Sequence, residues 1–317
     1  MTADVIIVGG GPAGAACART LRQLGVECLV LDKAVFPRPK LCAGWITPRV
    51  VRLIEMDDYP HSLVTFKRFH LRFRGRKFPL LTRQYAIRRT EFDHWLLKRA
   101  DVPVKTHTVK RIERRRDYWL IDEQFTCRFI VGAGGTHCPV YYTIFRHINP
   151  RARNSQIAAM EDEFRYDYSD PNCYLWFWEN RLPGYSWYVP KGNGVLNVGV
   201  GGVISRIKAR GSDIAQHWNH LTRKLDELEL VRGHEFTRRG HNYFLRQDTQ
   251  RAWTDTACIV GDAAGLATRD LGEGIGPAVQ SGILAARAIA AGKTASYSTI
   301  PRYSLPRMIL AGWGLYV

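Results

Sequence analysis

Hydrophobic positions along this chain fall in short runs. Val5-Ile6-Ile7-Val8 is continuously apolar, the pattern of a strand buried on both faces of a parallel sheet. Gly9-Gly10-Gly11-Pro12-Ala13-Gly14 follows, then small residues (Ala15, Ala16, Cys17, Ala18) through to Leu24, predicting a helix that Gly25 ends. Cys28-Leu29-Val30-Leu31 predicts a second strand closing on Asp32. Near the other end, Thr256–Val260 predicts a strand running into Gly261-Asp262-Ala263-Ala264-Gly265. Gly272-Glu273-Gly274-Ile275-Gly276 then opens a second small-residue helix. Between these ends the signal is aromatic. Phe66, Phe69, Phe73 and Phe78 mark a strand-like stretch. In Tyr174-Leu175-Trp176-Phe177-Trp178, strict alternation puts Tyr174, Trp176 and Trp178 on one face. Tyr185, Trp187 and Tyr188 follow a Pro183-Gly184 turn, and Lys191-Gly192-Asn193-Gly194 predicts a hairpin turn.

The most apolar long window, Ile275 to Gly292, is broken by Gln280, Ser281 and Arg287, so no membrane span of about 18 residues is expected. The opening MTADVIIVGGGPAG has no basic leader, and no signal peptide is expected. The 317 residues, 45% hydrophobic and 24% charged, suit a globular protein of about two domains. The net charge of +17 is unevenly spread. Between Tyr59 and Thr90 stand Lys67, Arg68, Arg72, Arg74, Arg76, Lys77, Arg83, Arg88 and Arg89, with no acid. Lys110 to Arg116 forms a second basic cluster. Such a field attracts nucleic acid, anionic lipid or diphosphates. No nucleic-acid-binding module accompanies it, so no nucleic acid is expected as partner. Seven scattered cysteines without a CxxC argue against a disulfide framework or a zinc site and fit a reduced cytoplasm. The histidines form no metal pattern, and His217 and His220, at i and i+3, are expected at the surface.

The chemistry sits at the two ends of the chain. Strand, GxGxxG turn, helix, second strand and acid are in the order that binds a dinucleotide: glycines let a pyrophosphate approach the helix N-terminus, and Asp32 can hold ribose hydroxyls. The motif alone does not say which dinucleotide. The distant GDAAG segment does. Asp262 can accept from a ribityl hydroxyl, and the glycine-rich start of the last helix offers N–H groups where a reduced flavin gathers negative charge. The pairing points to FAD.

With these motifs in place, the chain resembles the para-hydroxybenzoate-hydroxylase-type flavoproteins and, within them, the geranylgeranyl reductase family. The family's FPRxKxCGxGLTPRAV is matched by Phe36-Pro37-Arg38-Pro39-Lys40-Leu41-Cys42-Ala43-Gly44-Trp45-Ile46-Thr47-Pro48-Arg49-Val50. Its RxxFDxxL reads Arg89-Thr90-Glu91-Phe92-Asp93-His94-Trp95-Leu96, and its YxWxFPK box reads Tyr185-Ser186-Trp187-Tyr188-Val189-Pro190-Lys191. The resemblance implies that Gly9, Gly11, Pro12, Ala13 and Gly14 contact the pyrophosphate, with Asp32 and Lys33 at the adenosine and Val109 completing that end. It further implies that Arg89 pairs with a phosphate, that Cys42, Ala43 and Gly44 pass the flavin, and that Asp262, Gly274 and Ile275 close the flavin site. Cys42 is its one candidate for the reaction centre, and Tyr185, Trp187, Trp176 and Trp178 are the expected substrate wall. There are departures. Trp45 replaces a family glycine, Thr268-Arg269 replaces Asn-Pro, and Gly132-Ala133-Gly134-Gly135-Thr136-His137-Cys138-Pro139-Val140-Tyr141 lacks the Asp and Arg of the hydroxylases' GADGxxSxVR.

The fold class expected is α/β, a Rossmann-type FAD-binding domain with an inserted antiparallel β-sheet substrate domain. Residues 1–59, 86–144 and 246–295 would form the first and 60–85 and 145–245 the second, with 296–317 a short tail carrying the apolar stretch from Met308 to Val317. The resemblance implies reduction of carbon–carbon double bonds in an isoprenoid or other apolar lipid, with NAD(P)H or another reductant as electron donor, in the cytoplasm or at an anionic membrane surface. The rival readings are a flavin monooxygenase or halogenase of the same fold, and a protein that uses FAD structurally.

Overall fold

The computed structural model describes residues 1–73, 75–247 and 251–305. Arg74 and the apolar stretch from Met308 to Val317 lie outside the described residues. The strands, in chain order, are β1 (Thr2–Val8), β2 (Cys28–Asp32), β3 (Trp45–Ile46), β4 (Val64–Phe73), β5 (Arg76–Ala86), β6 (Val104–Thr106), β7 (Ile112–Arg114), β8 (Trp119–Ile121), β9 (Phe125–Gly132), β10 (Gln156–Arg165), β11 (Cys173–Phe177), β12 (Gly184–Lys191), β13 (Val195–Val203), β14 (Arg239–Phe244) and β15 (Ala257–Ile259). The helices are α1 (Pro12–Gln23), α2 (Pro48–Ile54), α3 (Arg89–Arg99), α4 (Ile204–Ala209), α5 (Ile214–Glu227) and α6 (Ile275–Ala290).

The first sheet runs β6-β2-β1-β9-β8-β7, with β15 joining β9. Its centre is parallel: β1 lies between β2 and β9, and β2 pairs β6. Ile6, Ile7, Val30, Leu31, Ile130 and Val131 are wholly buried there, as a parallel sheet covered on both faces requires. Helices α1 and α6 pack at backbone contact. A methyl group on Gly282 would lie 2.2 Å from the Ala13 carbonyl oxygen, so only glycine lets the two approach this closely.

The second sheet runs β14-β10-β13-β12-β11-β4-β5-β3. It is antiparallel except at one seam, where β11 runs parallel to β4 in the register Cys173 to Phe69 through Phe177 to Phe73. The basic, aromatic stretch from Phe66 to Phe78 is not one strand. It is the tip of the β4–β5 hairpin. The predicted turn at Lys191–Gly194 joins β12 to β13, with Asn193 and Gly194 both at positive φ. One face of this sheet packs Trp176, Tyr188, Leu196 and Val198 against Trp218, Leu221 and Leu225 of α5. The other face carries Phe66, Phe69, Leu175, Phe177 and Trp187 toward the first sheet.

Two expectations are corrected here. His217 is buried beside Trp218, its Nε2 3.2 Å from Ser212 Oγ, because α5 turns the 217, 218, 221, 225 stripe inward; His220 stays exposed. Trp178 does not share a face with Tyr174 and Trp176. It lies past the end of β11 with φ +60°, and that left-handed residue breaks the two-residue alternation. Among the described residues, no helix is long and apolar enough to cross a membrane.

Candidate active site

One cavity of about 1450 Å³ lies between the sheets and reaches from the β1–α1 turn to the aromatic face of the second sheet. At its first end the chain leaves β1 through Gly9, at φ +114°. A methyl group there would meet the Ala133 carbonyl oxygen at 2.4 Å, and one on Gly14 would meet the Gly9 carbonyl oxygen at 1.9 Å. Glycine at both positions therefore keeps the turn tight against the middle loop. Pro12 opens α1, with Gly11 as its N-cap, so the helix points unpaired N–H groups and its positive end into the cavity. Asp32 is buried at the tip of β2. Its Oδ2 accepts from Gly10 N at 2.7 Å and its Oδ1 from Ala34 N at 2.9 Å, which fixes the carboxylate beside the cradle. Lys33 and Val109 line the same end.

Arg89 has a partner within the protein. Its fork is closed on Asp93, one turn along α3, through bonds of 2.7 and 2.8 Å. Burial disfavours its charge, but Asp93 and then Cys42 hold it well above the ordinary arginine range. That pairing spends the Nε–Nη2 edge of the guanidinium inside the protein, while Arg89 still borders the cavity. The residue that sequence reasoning missed is Arg38. It lies 3.6 Å from where a methyl group on Gly11 would sit, stacks over Phe36, and stands 3.9 Å from both Asp32 and Asp93 without a close bond to either. The signal was available as an arginine six residues after the acid, inside the FPRxK motif.

At the second end, Gly261 sits at φ +58° with its N–H on Ser281 Oγ, and Asp262 follows with Oδ1 3.3 Å from where a methyl on Gly274 would lie. Gly274 and Ile275 start α6, whose N-terminus also faces the cavity. Thr268, where the resemblance would have Asn-Pro, closes the loop in front of α6: its hydroxyl accepts from Glu273 N at 3.0 Å and its N–H bonds Glu273 O. Arg151 donates to the Thr136 and Ala263 carbonyls and stacks on Tyr141, tying the middle loop to the segment after Asp262.

Cys42, Ala43 and Gly44 cross the middle of the cavity. Gly44, at φ +77°, accepts from Ile87 N, and a methyl there would lie 2.2 Å from Ile87 O. The Cys42 carbonyl accepts from Lys191 Nζ at 3.2 Å, and the same ammonium, 1% exposed, bonds Glu163 Oε2 at 2.5 Å. Trp45 does not displace this loop. It opens β3 against Ala86 and stacks on Tyr185, so the larger side chain extends the aromatic wall.

That wall contains Tyr185, Trp187, Phe177 and Trp178. Trp187 donates to Asn197 Oδ1 at 2.7 Å and lies flat on Gly199, where a methyl would come 2.2 Å from its ring. Tyr185 donates to Leu271 O at 2.5 Å, tying the wall to the loop before α6. Trp176 is corrected. It is wholly buried on the opposite face against Tyr174 and Tyr188 and takes no part in the cavity. The polar group that nothing in the sequence signalled is Glu161, wholly buried on β10 at the cavity edge, neither of its oxygens completing a hydrogen bond. Burial pushes it up to about 7, with Lys191 and Asn197 drawing it partly back. His241, on β14, also lines the cavity with Nδ1 unbonded, and burial followed by the charges of Lys40 and Arg89 pushes it down to about 4.

Comparison with known proteins agrees with this geometry. The FAD binding domain family matches residues 2–58. An uncharacterized protein of Methanosarcina barkeri is 30% identical over 90% of this chain and 74% of its own length. Digeranylgeranylglycerophospholipid reductase 3 of Methanosphaera stadtmanae is 27% identical over 90% and 77%. The menaquinone reductase of Mycobacterium tuberculosis is 30% identical over 68% of this chain and 58% of its own length. Among solved structures, a geranylgeranyl bacteriochlorophyll reductase-like protein from Thermoplasma acidophilum superposes with TM-score 0.79 at 21% identity, covering 92% of this chain and 78% of the other. A flavin-dependent brominase superposes with TM-score 0.73 at 18% identity, covering 99% and 83%, which is a likeness of fold.

Proposed function

The chain belongs to the geranylgeranyl reductase family of FAD-dependent oxidoreductases, and on that footing we propose that it reduces carbon–carbon double bonds of an isoprenoid or similar apolar lipid. The observation that carries the reading is the single cavity that joins a dinucleotide cradle to an aromatic wall. The residues fit FAD. Two helix N-termini, at Gly11 and Gly274, face one space, each beside a carboxylate, Asp32 and Asp262, and the glycines between them admit a ligand at backbone distance. Gly9, Gly11, Pro12, Ala13 and Gly14 would hold the diphosphate with Arg38, Asp32 the adenosine ribose, and Asp262, Gly274 and Ile275 the flavin end.

FAD, when bound and reduced, supplies the two electrons of the reduction as a hydride equivalent. The protein's share is positioning and proton supply. Tyr185, Trp187, Phe177 and Trp178 give an apolar lipid a rigid surface and exclude water from it. Glu161, buried next to that wall and carrying its proton near neutral pH, is the carboxyl from which the second alkene carbon is protonated. Cys42 shapes the loop: its Sγ accepts from Gly44 N at 3.3 Å. The likeness to a digeranylgeranylglycerophospholipid reductase and to a menaquinone reductase supports a polyprenyl substrate.

The test is anaerobic. The purified protein is expected to carry flavin absorbance, to be bleached by photoreduction, and to regain its colour on adding a geranylgeranyl lipid or a menaquinone, with a saturated product. Failure of both lipids to reoxidise it, together with a flavin–oxygen adduct and oxygen incorporation in air, would replace the reductase reading with a monooxygenase or halogenase. NADH and NADPH tested in place of light identify the donor.

A further inference from the structure

The molecule carries a second cluster of charge that the cavity does not use. In the β4–β5 hairpin, Arg68 stands opposite Leu81, His70 opposite Pro79 and Arg72 opposite Lys77. Directly opposed antiparallel residues share a face, so Arg68, His70, Arg72 and Lys77 form a block of positive and titratable groups with Pro79 and Leu81 set among them. This face is turned away from the cavity, on the same side as Tyr174 and Trp176, which neighbour His70 and Arg72 across the parallel seam. The block borders a recess of about 300 Å³ backed by Tyr174.

Among the described residues, none of Arg68, Arg72 and Lys77 pairs with a carboxylate. The chain has no acid between Tyr59 and Thr90. The near carboxylate, Asp170, is taken by the hydroxyl of Tyr174 at 2.6 Å and by Asn172. Lys224, reaching over from α5, is engaged by Glu179. Concentrated, unanswered cations repel one another and favour an anionic partner. The apolar members say which kind. Leu81 is 75% exposed, whereas its neighbour Leu80 turns inward. Bases of a nucleic acid call for exposed aromatic rings to stack on, and this face has its one tyrosine at the back of the recess. An interfacial lipid layer takes both parts, phosphates for the cations and acyl chains for the leucine.

We propose that the outer face of the β4–β5 hairpin docks the protein on an anionic lipid bilayer, with Arg68, Arg72 and Lys77 at the head-group phosphates and Leu81 in the interfacial layer. The inference stands on this face alone and does not depend on the reaction run in the cavity.

The experiment is co-sedimentation of the full chain with vesicles of phosphatidylcholine, alone or mixed with phosphatidylglycerol, at low and high salt. Binding is expected to the mixed vesicles only and to weaken as salt screens the charges. The Arg68→Gln/Lys77→Gln pair is expected to weaken partitioning about 25-fold, near fivefold per basic residue. Leu81→Ser should weaken it while leaving the salt dependence in place. Arg115→Gln/Arg116→Gln, in the second basic cluster, should change little, which separates a docking face from net charge. In the unmodified chain, mixed vesicles should protect Lys77 from an amine-acylating reagent, a readout that needs no variant. Equal binding to phosphatidylcholine alone, equal loss in the Arg115/Arg116 pair, or an unprotected Lys77 overturns the proposal. So does displacement by millimolar inorganic phosphate, which would mark a site for free phosphate, or preferential capture of a single-stranded oligonucleotide.

Discussion

Glu161 shows how a single buried residue couples stability to pH. In the folded chain burial raises its carboxyl to about 7, whereas the unfolded chain releases the proton at an ordinary glutamate value of about 4.3. Over that interval the folded state binds more protons than the unfolded one, so the contribution of Glu161 to stability declines as pH rises. Glu273, raised to about 7 by burial, acts in the same direction, while His241, lowered to about 4, acts in the opposite one below about pH 6.5. The informative quantity is therefore the difference between variant and parent. Glu161→Gln is expected to gain thermal stability relative to the parent as pH goes from 5 to 8, read by calorimetry of the flavin-free protein. A difference that does not change with pH would mean the carboxyl ionises normally. In turnover, the same variant should keep its flavin and its photoreduction and lose most of its alkene reduction. Glu161 was not legible in the sequence because nothing in Gln156–Arg165 distinguishes one acid of EDE from its neighbours. Strand alternation turns Glu161 to the cavity and leaves Asp162 to bond Thr237 N on the other side.

At the level of the element, legibility follows how local the cause is. The β1–α1 turn was readable because its requirement is local: a Gly9 at φ +114° and a Gly14 with no room for a side chain. Gly14→Ala is expected to cost about 1–3 kcal/mol of stability through overpacking and to yield colourless protein. Gly11→Ala separates the two effects. A methyl there meets only Arg38 at 3.6 Å, so melting should be unchanged while flavin affinity falls, as measured by fluorescence titration. The start of α6 was readable for the same reason. Features set by one backbone angle or by burial were not. The faces of β11 were misassigned at Trp178, where a left-handed residue follows the strand. The hairpin turn after Phe73 was read through as strand. The pairing of Arg89 with Asp93, four residues along the same helix, is an interaction whose strength depends on burial that the sequence does not display.

Across the whole molecule, the charge that made the sequence look like that of a nucleic-acid binder separates into two populations. Some basic groups face the cavity, Arg38 and Lys40 among them, and suit a dinucleotide diphosphate. Others lie on the outer face of the second sheet, outside the lining of the cavity. Raising ionic strength should therefore act on two observables to different degrees: flavin retention, deep in a cleft, should hold where vesicle binding is already lost. Ultrafiltration with absorbance, beside sedimentation, compares them in one salt series, and a common midpoint for the two would contradict the separation. The fold class, a Rossmann-type unit beside a second sheet, was readable from where the motifs fell. The parallel seam between β4 and β11 was not, since strand pairing across a hundred residues leaves no local mark.

Lys191 also has a consequence measured in time. One dry ammonium holds the Cys42 carbonyl, on the loop that descends from the first sheet, and the Glu163 carboxylate, on the second. Lys191 and Glu163 stay paired within the second sheet, so parting the sheets costs the buried ammonium its bond to the Cys42 carbonyl; breathing of the cleft should be slowed, and a long lipid would have to thread its way in and out through a narrow passage. Product escape would then be the slow event of each cycle, and Lys191→Met, though about 3 kcal/mol less stable, would open the gate more often. Amide exchange at Gly44 and Ile87 is the clock on which this is read: slow in the parent, fast in the variant.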